Sequence, residues 1–356
     1  KTSLFHSDAE ADCQCAAGTY SQLIITESDY AVTTVSFSNW PTSSSGGLLY
    51  MDIAPNSNYL WVVRMFGGGG IPNNVLKLDV STQSFVDKSS DVNCGSCTEF
   101  RQVVVNPVNP DEIFFSLHCS TSAEYKIIKF IESTTSCSYF GTQLTFTRDK
   151  LSMSNDGNYI LLCDNYDCVE FDASGTELWS LDTRNSLSNG YSASMQFFKY
   201  ASNGLTVYAT GQYSSENYIL QISIASDHSS ASITELFHET HDANEEIVGL
   251  EISPDDSFLY YTTIYDVKKI DLTTLTSSVV VEAGSSSWML SLALASDGIL
   301  WVGHHERTDA LGVSGSVRKV SAISSIEETC ATCPAGGTSP DFSTSIADCQ
   351  CGPGYT

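Results

Sequence analysis

An all-β fold, a six-bladed β-propeller with short disulfide-rich modules at both termini, is predicted by three features of the sequence. Turn-then-strand units recur six times at a spacing of roughly 45–55 residues, the size of a four-stranded blade. Within each unit the apolar residues follow strand periodicity, and no 3.6-residue period of any length competes. A cysteine fragment near the start, Ala11-Asp12-Cys13-Gln14-Cys15, returns near the end as Ala347-Asp348-Cys349-Gln350-Cys351.

Each blade begins with an apolar strand suited to the crowded interior of a radial stack. These strands are Leu49–Ile53, Val103–Val105, Leu151–Met153, Met195–Phe198, Val248–Ile252 and Leu290–Leu294. Polar turns follow, at Pro55-Asn56-Ser57-Asn58, Asn109-Pro110-Asp111, Asn155-Asp156-Gly157-Asn158, Ser202-Asn203-Gly204, Pro254-Asp255-Asp256 and Ser296-Asp297-Gly298. A second strand leaves each turn. A third, alternating strand comes next, at Val75–Asp79, Ile127–Phe130, Val169–Asp172, Ile219–Ile222, Val267–Asp271 and Val317–Val320. Fourth strands are legible at Ser84–Val86, Glu177–Trp179 and Ser278–Val281. The sixth unit has no obvious fourth strand, whereas Tyr30–Phe37 is an alternating strand with no unit of its own. It is expected to supply the outer strand of the sixth blade and close the ring, leaving no free edge. The organisation expected is therefore 1–29 as the C-terminal half of a cysteine-rich module, 30–325 as the propeller and 326–356 as a cysteine-rich module.

The 42 acidic and 16 basic residues give a formal net charge of −26. A surface this acidic repels nucleic-acid phosphates and anionic lipid heads, and neither is expected as a partner. No apolar run is long enough to span a membrane. The chain opens at Lys1 without a leader, as a mature or excerpted secreted product would. No Asn-x-Ser/Thr sequon occurs. O-linked sugar is expected, if anywhere, at Thr42, Ser43, Ser44 and Ser45 beside Pro41.

The 12 cysteines fall in pairs: Cys13/Cys15, Cys94/Cys97, Cys119/Cys137, Cys163/Cys168, Cys330/Cys333 and Cys349/Cys351. Zinc quartets want two-residue spacers in both halves, and here the partner doublets are Cys-x-Cys. Disulfides are favoured, and with them an oxidising, extracellular compartment. Cys163 and Cys168 are placed to cross a hairpin, and Cys119 and Cys137 flank a third strand that they could clasp. Cys94-Gly95-Ser96-Cys97 precedes a strand, whereas a redox motif needs a helix N-terminus to lower its thiol pKa. Local pairing, or pairing with Cys13 and Cys15, stays open for it.

The turn, strand and Lys-Leu-Asp or Lys-Ile-Asp pattern resembles the NHL-type and related six-bladed propellers of secreted proteins. Cys330-x-x-Cys333-Pro334-Ala335-Gly336, followed by Asp348-Cys349-Gln350-Cys351 and Tyr355, is similar to the ephrin-receptor-like cysteine-rich module. Together they resemble structural proteins of extracellular filaments in algae and other protists, including mastigonemes. The resemblance implies secretion, disulfides and a structural or adhesive role. The N-terminal copy lacks its opening Cys-x-x-Cys, which leaves its pairing open.

Catalytic signatures do not emerge. His238-Glu239-Thr240-His241 and His304-His305-Glu306 lack the His-Glu-x-x-His spacing of a zincin. There is no Gly-x-Ser-x-Gly elbow and no P-loop. The acidic turns around Asp156, Asp255 and Asp297 lack a calcium loop's terminal glutamate and read as ordinary β-turns, so no cofactor is expected, with calcium as the alternative. Trp61 and Trp301 occupy equivalent second-strand positions and are expected to pack between blades. Trp40, in a loop, is the candidate for partner contact. The function expected is a non-enzymatic extracellular subunit assembling with itself, head-to-tail, into a filament or appendage. The alternatives are a secreted propeller that binds glycans or other matrix proteins, and a calcium-dependent propeller hydrolase.

Overall fold

The computed structural model describes residues 19–36, 48–53, 58–64, 74–92, 99–119, 124–144, 150–184, 187, 194–214, 216–240, 247–282, 287–295, 297–306, 315–332, 337–338 and 350–351. The chain divides into two compact units. One joins Lys1–Tyr30 with Ala322–Thr356, and the other is Ala31–Ser321.

The larger unit is built from six four-stranded antiparallel sheets. Blade one holds β2 (Leu48–Ile53), β3 (Tyr59–Arg64), β4 (Asn74–Asp79) and β5 (Ser84–Asp87). Blade two holds β6 (Glu99–Val105), β7 (Glu112–Cys119), β8 (Glu124–Ile131) and β9 (Ser136–Leu144). Blade three runs through β10 (Lys150–Met153), β11 (Tyr159–Cys163), β12 (Asp167–Asp172) and β13 (Glu177–Asp182). Blade four contains β14 (Ser194–Tyr200), β15 (Thr206–Tyr213), β16 (Glu216–Ile224) and β17 (Ala231–Thr240). Blade five contains β18 (Ile247–Ile252), β19 (Phe258–Thr263), β20 (Asp266–Asp271) and β21 (Thr276–Glu282). The sixth sheet has the order β1-β24-β23-β22, formed by β1 (Thr19–Ser36), β24 (Gly315–Thr332), β23 (Leu300–Glu306) and β22 (Ser287–Leu294). The first strand of the chain is thus the outer neighbour of the last long one. The innermost strands touch in a closed circle, β2, β6, β10, β14, β18, β22 and back to β2. The protein is a six-bladed β-propeller.

Burial falls from the axis outward. All four residues of β10 are buried, whereas β21 exposes most of its length. The core lies between blades rather than within them. Trp61 of blade one packs edge-on against Phe115 and Phe130 of blade two, both at 6.1 Å between ring centres. Trp301 sits in the cluster joining blades six and one, where Val35 of β1 also packs. Gly249 marks a close approach: a Cβ there would lie 2.6 Å from Thr262 Oγ1 and 2.9 Å from the Leu292 Cβ, so only glycine lets β18 meet β19 and β22 this closely.

The turn aspartates have a local duty. At the end of the third strand, Asp79 Oδ1 accepts from the backbone N–H groups of Ser81 and Thr82, at 2.9 and 3.1 Å. Asp271 in blade five accepts likewise from Thr273 and Thr274, and Asp172 in blade three accepts from Ser174 and Thr176. Hydrogen bonds from Ser81 and Ser174 hydroxyls, and from the Thr273 and Thr274 backbone, hold these carboxyls below their ordinary range.

Cys163 and Cys168 face each other across the β11–β12 hairpin and are joined by a buried disulfide. Cys119 faces Glu124 at one end of β8, and Cys137 faces Phe130 at the other. The run of strand between those ends spans about 20 Å, beyond the reach of a disulfide. Both residues are disulfide-bonded, so each bonds another cysteine, and the clasp across β8 is not made between these two. In the smaller unit, β25 (Gly337–Thr338) pairs antiparallel with β26 (Gln350–Cys351). Among the described residues no helix is long and apolar enough to cross a membrane.

Candidate functional site: the mouth of the central channel

The innermost strands place one residue of each blade around the axis at the same depth. From blades one to six these are Asp52, Val104, Ser152, Lys199, Glu251 and Ala293, each one residue before the last of its strand. An apolar ring of this kind needs no charge, yet three of its members are ionisable. Lys199 comes from blade four and reaches across the channel to Asp52 of blade one, donating to Oδ1 at 3.3 Å. Its ammonium also lies 2.8 Å from Glu251 Oε1 of blade five. The other Asp52 oxygen accepts from the Val105 N–H at 2.7 Å, tying blade one to blade two. The three side chains form a strut across the ring.

The electrostatics follow from burial and proximity. Burial works against the Lys199 charge, but Asp52 and Glu251 outweigh it and hold the ammonium above its ordinary range. Burial pushes the Glu251 carboxyl up from 4.5, Lys199 pulls it back and Asp52 adds to the rise, leaving it at about 7. Above the strut lies an open cavity of about 240 Å³, walled by Ile53, Val105, Met153, Ile252 and Leu294, with Pro107, Asn155 and Pro254 at the rim. Ser152 lines it, and its Oγ is buried without a partner among the described residues.

A second buried carboxylate, Glu170 on β12, clamps blades three and four. It accepts from Trp179 Nε1 and the Tyr200 hydroxyl, each at 2.6 Å, and its Oε2 lies 2.8 Å from His228 Nδ1. The His228 ring stacks on Tyr159 with centres 3.7 Å apart. Glu170, Trp179 and Tyr200 are buried, His228 lies at the edge, and the cluster holds the two blades together.

Of the residues singled out from sequence, Trp61 and Trp301 are in the inter-blade core and Cys163 and Cys168 are bonded to each other. Cys330 lies in β24 and Cys351 in β26. Cys13, Cys15, Cys94, Cys97, Cys333, Cys349, Trp40, Thr42, Ser43, Ser44 and Ser45 lie outside the described residues. His304 and His305 are on β23, and His238 is on β17 with its Nδ1 3.0 Å from Glu235 Oε1. Asp156 and Asp255 spend a carboxylate oxygen on the serine hydroxyls of their own turns, Ser154 at 2.6 Å and Ser253 at 2.7 Å. Asp52, Lys199 and Glu251 escaped the sequence reading. Their signal was there: writing the inner strands in register puts a polar residue at the same position of four apolar strands.

Fold and site together define a propeller with an ion-paired channel. The chain is similar to the β-propeller domain of Myceliophteria thermophila Cps50 (Swd1), with 9% identity over 78% of this chain and 83% of that one, at a TM-score of 0.50. At that identity the likeness speaks for the fold alone. No family model matches the chain. No curated protein matches it either.

Proposed function

We propose that this chain is a non-catalytic, extracellular structural subunit that assembles head-to-tail into a filament or appendage through its cysteine-bearing ends. The observation that supports the reading is the pairing of β1 with β24, which sets the strands leading to the two cysteine-bearing segments side by side in one blade. A contact between unlike surfaces of successive subunits that does not close into a ring generates a fibre. The strut adds support for a non-catalytic role, since Lys199 is held by two carboxylates and is not poised as a base or nucleophile.

Electron microscopy of the native material, purified without reductant, tests the assembly. Regular filaments with a subunit-sized repeat are expected, and Cys13→Ser with Cys15→Ser should weaken them while the propeller stays folded by circular dichroism. Monodisperse single propellers at high concentration would overturn the reading.

A further inference from the structure

We propose that the mouth of the central channel binds a small organic cation, an alkylammonium group carried on a short apolar body. The inference stands apart from the assembly reading, because it uses residues of the channel only.

Shape sets the apolar part. The cavity of about 240 Å³ opens at the face carrying the first-to-second-strand turns, and its wall is largely aliphatic. Charge sets the polar part. The floor carries two carboxylates and one ammonium, so with all three ionised it holds a surplus negative charge in a poorly solvated place. Acceptors are also left over. Ser152 is 2% exposed, its Oγ has no partner among the described residues, and it lines this cavity. Glu251 is 5% exposed, and the Lys199 ammonium, 2.8 Å from Oε1, is the one polar partner among the described residues for its two oxygens. Unmet acceptors in a buried site favour a ligand that donates. An anion would face Asp52 and Glu251. A neutral apolar guest would leave both the charge and the serine unmet. Calcium or magnesium wants six or more oxygen ligands, whereas this floor offers two carboxylates with an ammonium between them.

Uptake of a cation should expel a proton. The ionisable groups facing Glu251 are Lys199 from β14 and Asp52 from β2, with Tyr260 opposite it on β19. The neighbouring residues Ser291 and Leu292 of β22 do not titrate in this range. Because Glu251 titrates at about 7, its ionised fraction rises about tenfold between pH 6 and pH 8, and binding should tighten by the same factor.

Isothermal titration calorimetry of the full chain with n-butylammonium chloride, at constant ionic strength, tests this. Saturable one-to-one binding is expected, about tenfold tighter at pH 8 than at pH 6. Glu251→Gln should abolish that pH dependence, and Ser152→Ala should weaken binding several-fold. A pH-stat titration of the unaltered protein at pH 7 should record about half a proton released per site, which keeps the test intact if a variant misfolds. Equal affinity for n-butanol, no saturable heat, no proton release, or an unchanged pH dependence in the glutamine variant would each overturn the proposal.

Discussion

Replacing Glu251 with glutamine is expected to stabilise the propeller at alkaline pH, although it removes a charged partner of Lys199. The magnitude follows from linkage. In the folded chain the carboxyl titrates at about 7 rather than 4.5, so between those values the native state holds a proton that the unfolded chain has released. Stability therefore falls as pH rises through the window, by about 1.4 kcal/mol per pH unit at most and about 3 kcal/mol in total. The side chain is 7% exposed, so solvent screening scarcely reduces that cost. Glutamine has the shape of the protonated acid and never ionises. The variant and the parent should match near pH 5, and the variant should be more stable by about 2–3 kcal/mol at pH 8. Urea unfolding at pH 5, 6, 7 and 8 reads this as a shift in midpoint at constant slope. A parent whose stability is flat or rises over this range would refute the reasoning. So would a variant weaker than the parent at pH 8, since the Lys199–Glu251 attraction would then exceed the cost of burying the carboxylate.

Three further outcomes are expected. Glu170→Ala strands the Trp179 and Tyr200 donors and removes the His228 contact, and should cost about 3–5 kcal/mol in thermal or urea unfolding. Cys163→Ser with Cys168→Ser opens a short loop, and the chain-entropy model puts the loss at about 2 kcal/mol, measured against the oxidised parent. The turn aspartates Asp79, Asp172 and Asp271 have lowered folded pKa values, so their contribution is present above the ordinary value of 3.8 and disappears as pH falls through the folded one. Acid unfolding followed by circular dichroism should therefore steepen below about pH 4, and the triple Asp→Asn variant should blunt that slope.

Blade count, strand order within a blade and the packing role of Trp61 and Trp301 were legible in the chain because they depend on local periodicity. An alternating strand must bury one face, and six such units must bury those faces against each other. The channel strut was not legible. Asp52, Lys199 and Glu251 are separated by 147 and 52 positions, and each looks locally like a stray polar residue in an apolar strand. Only ring closure sets blade four opposite blade one and brings an ammonium to within 3.3 Å of a carboxylate. The Glu170 clamp depends in the same way on how blades three and four meet. The separation of Cys119 from Cys137 depends on the register of β8. Local pattern determined the blades of this protein, whereas the chemistry at its axis was decided by tertiary structure, because charges interact through distance in space and not through distance along the chain.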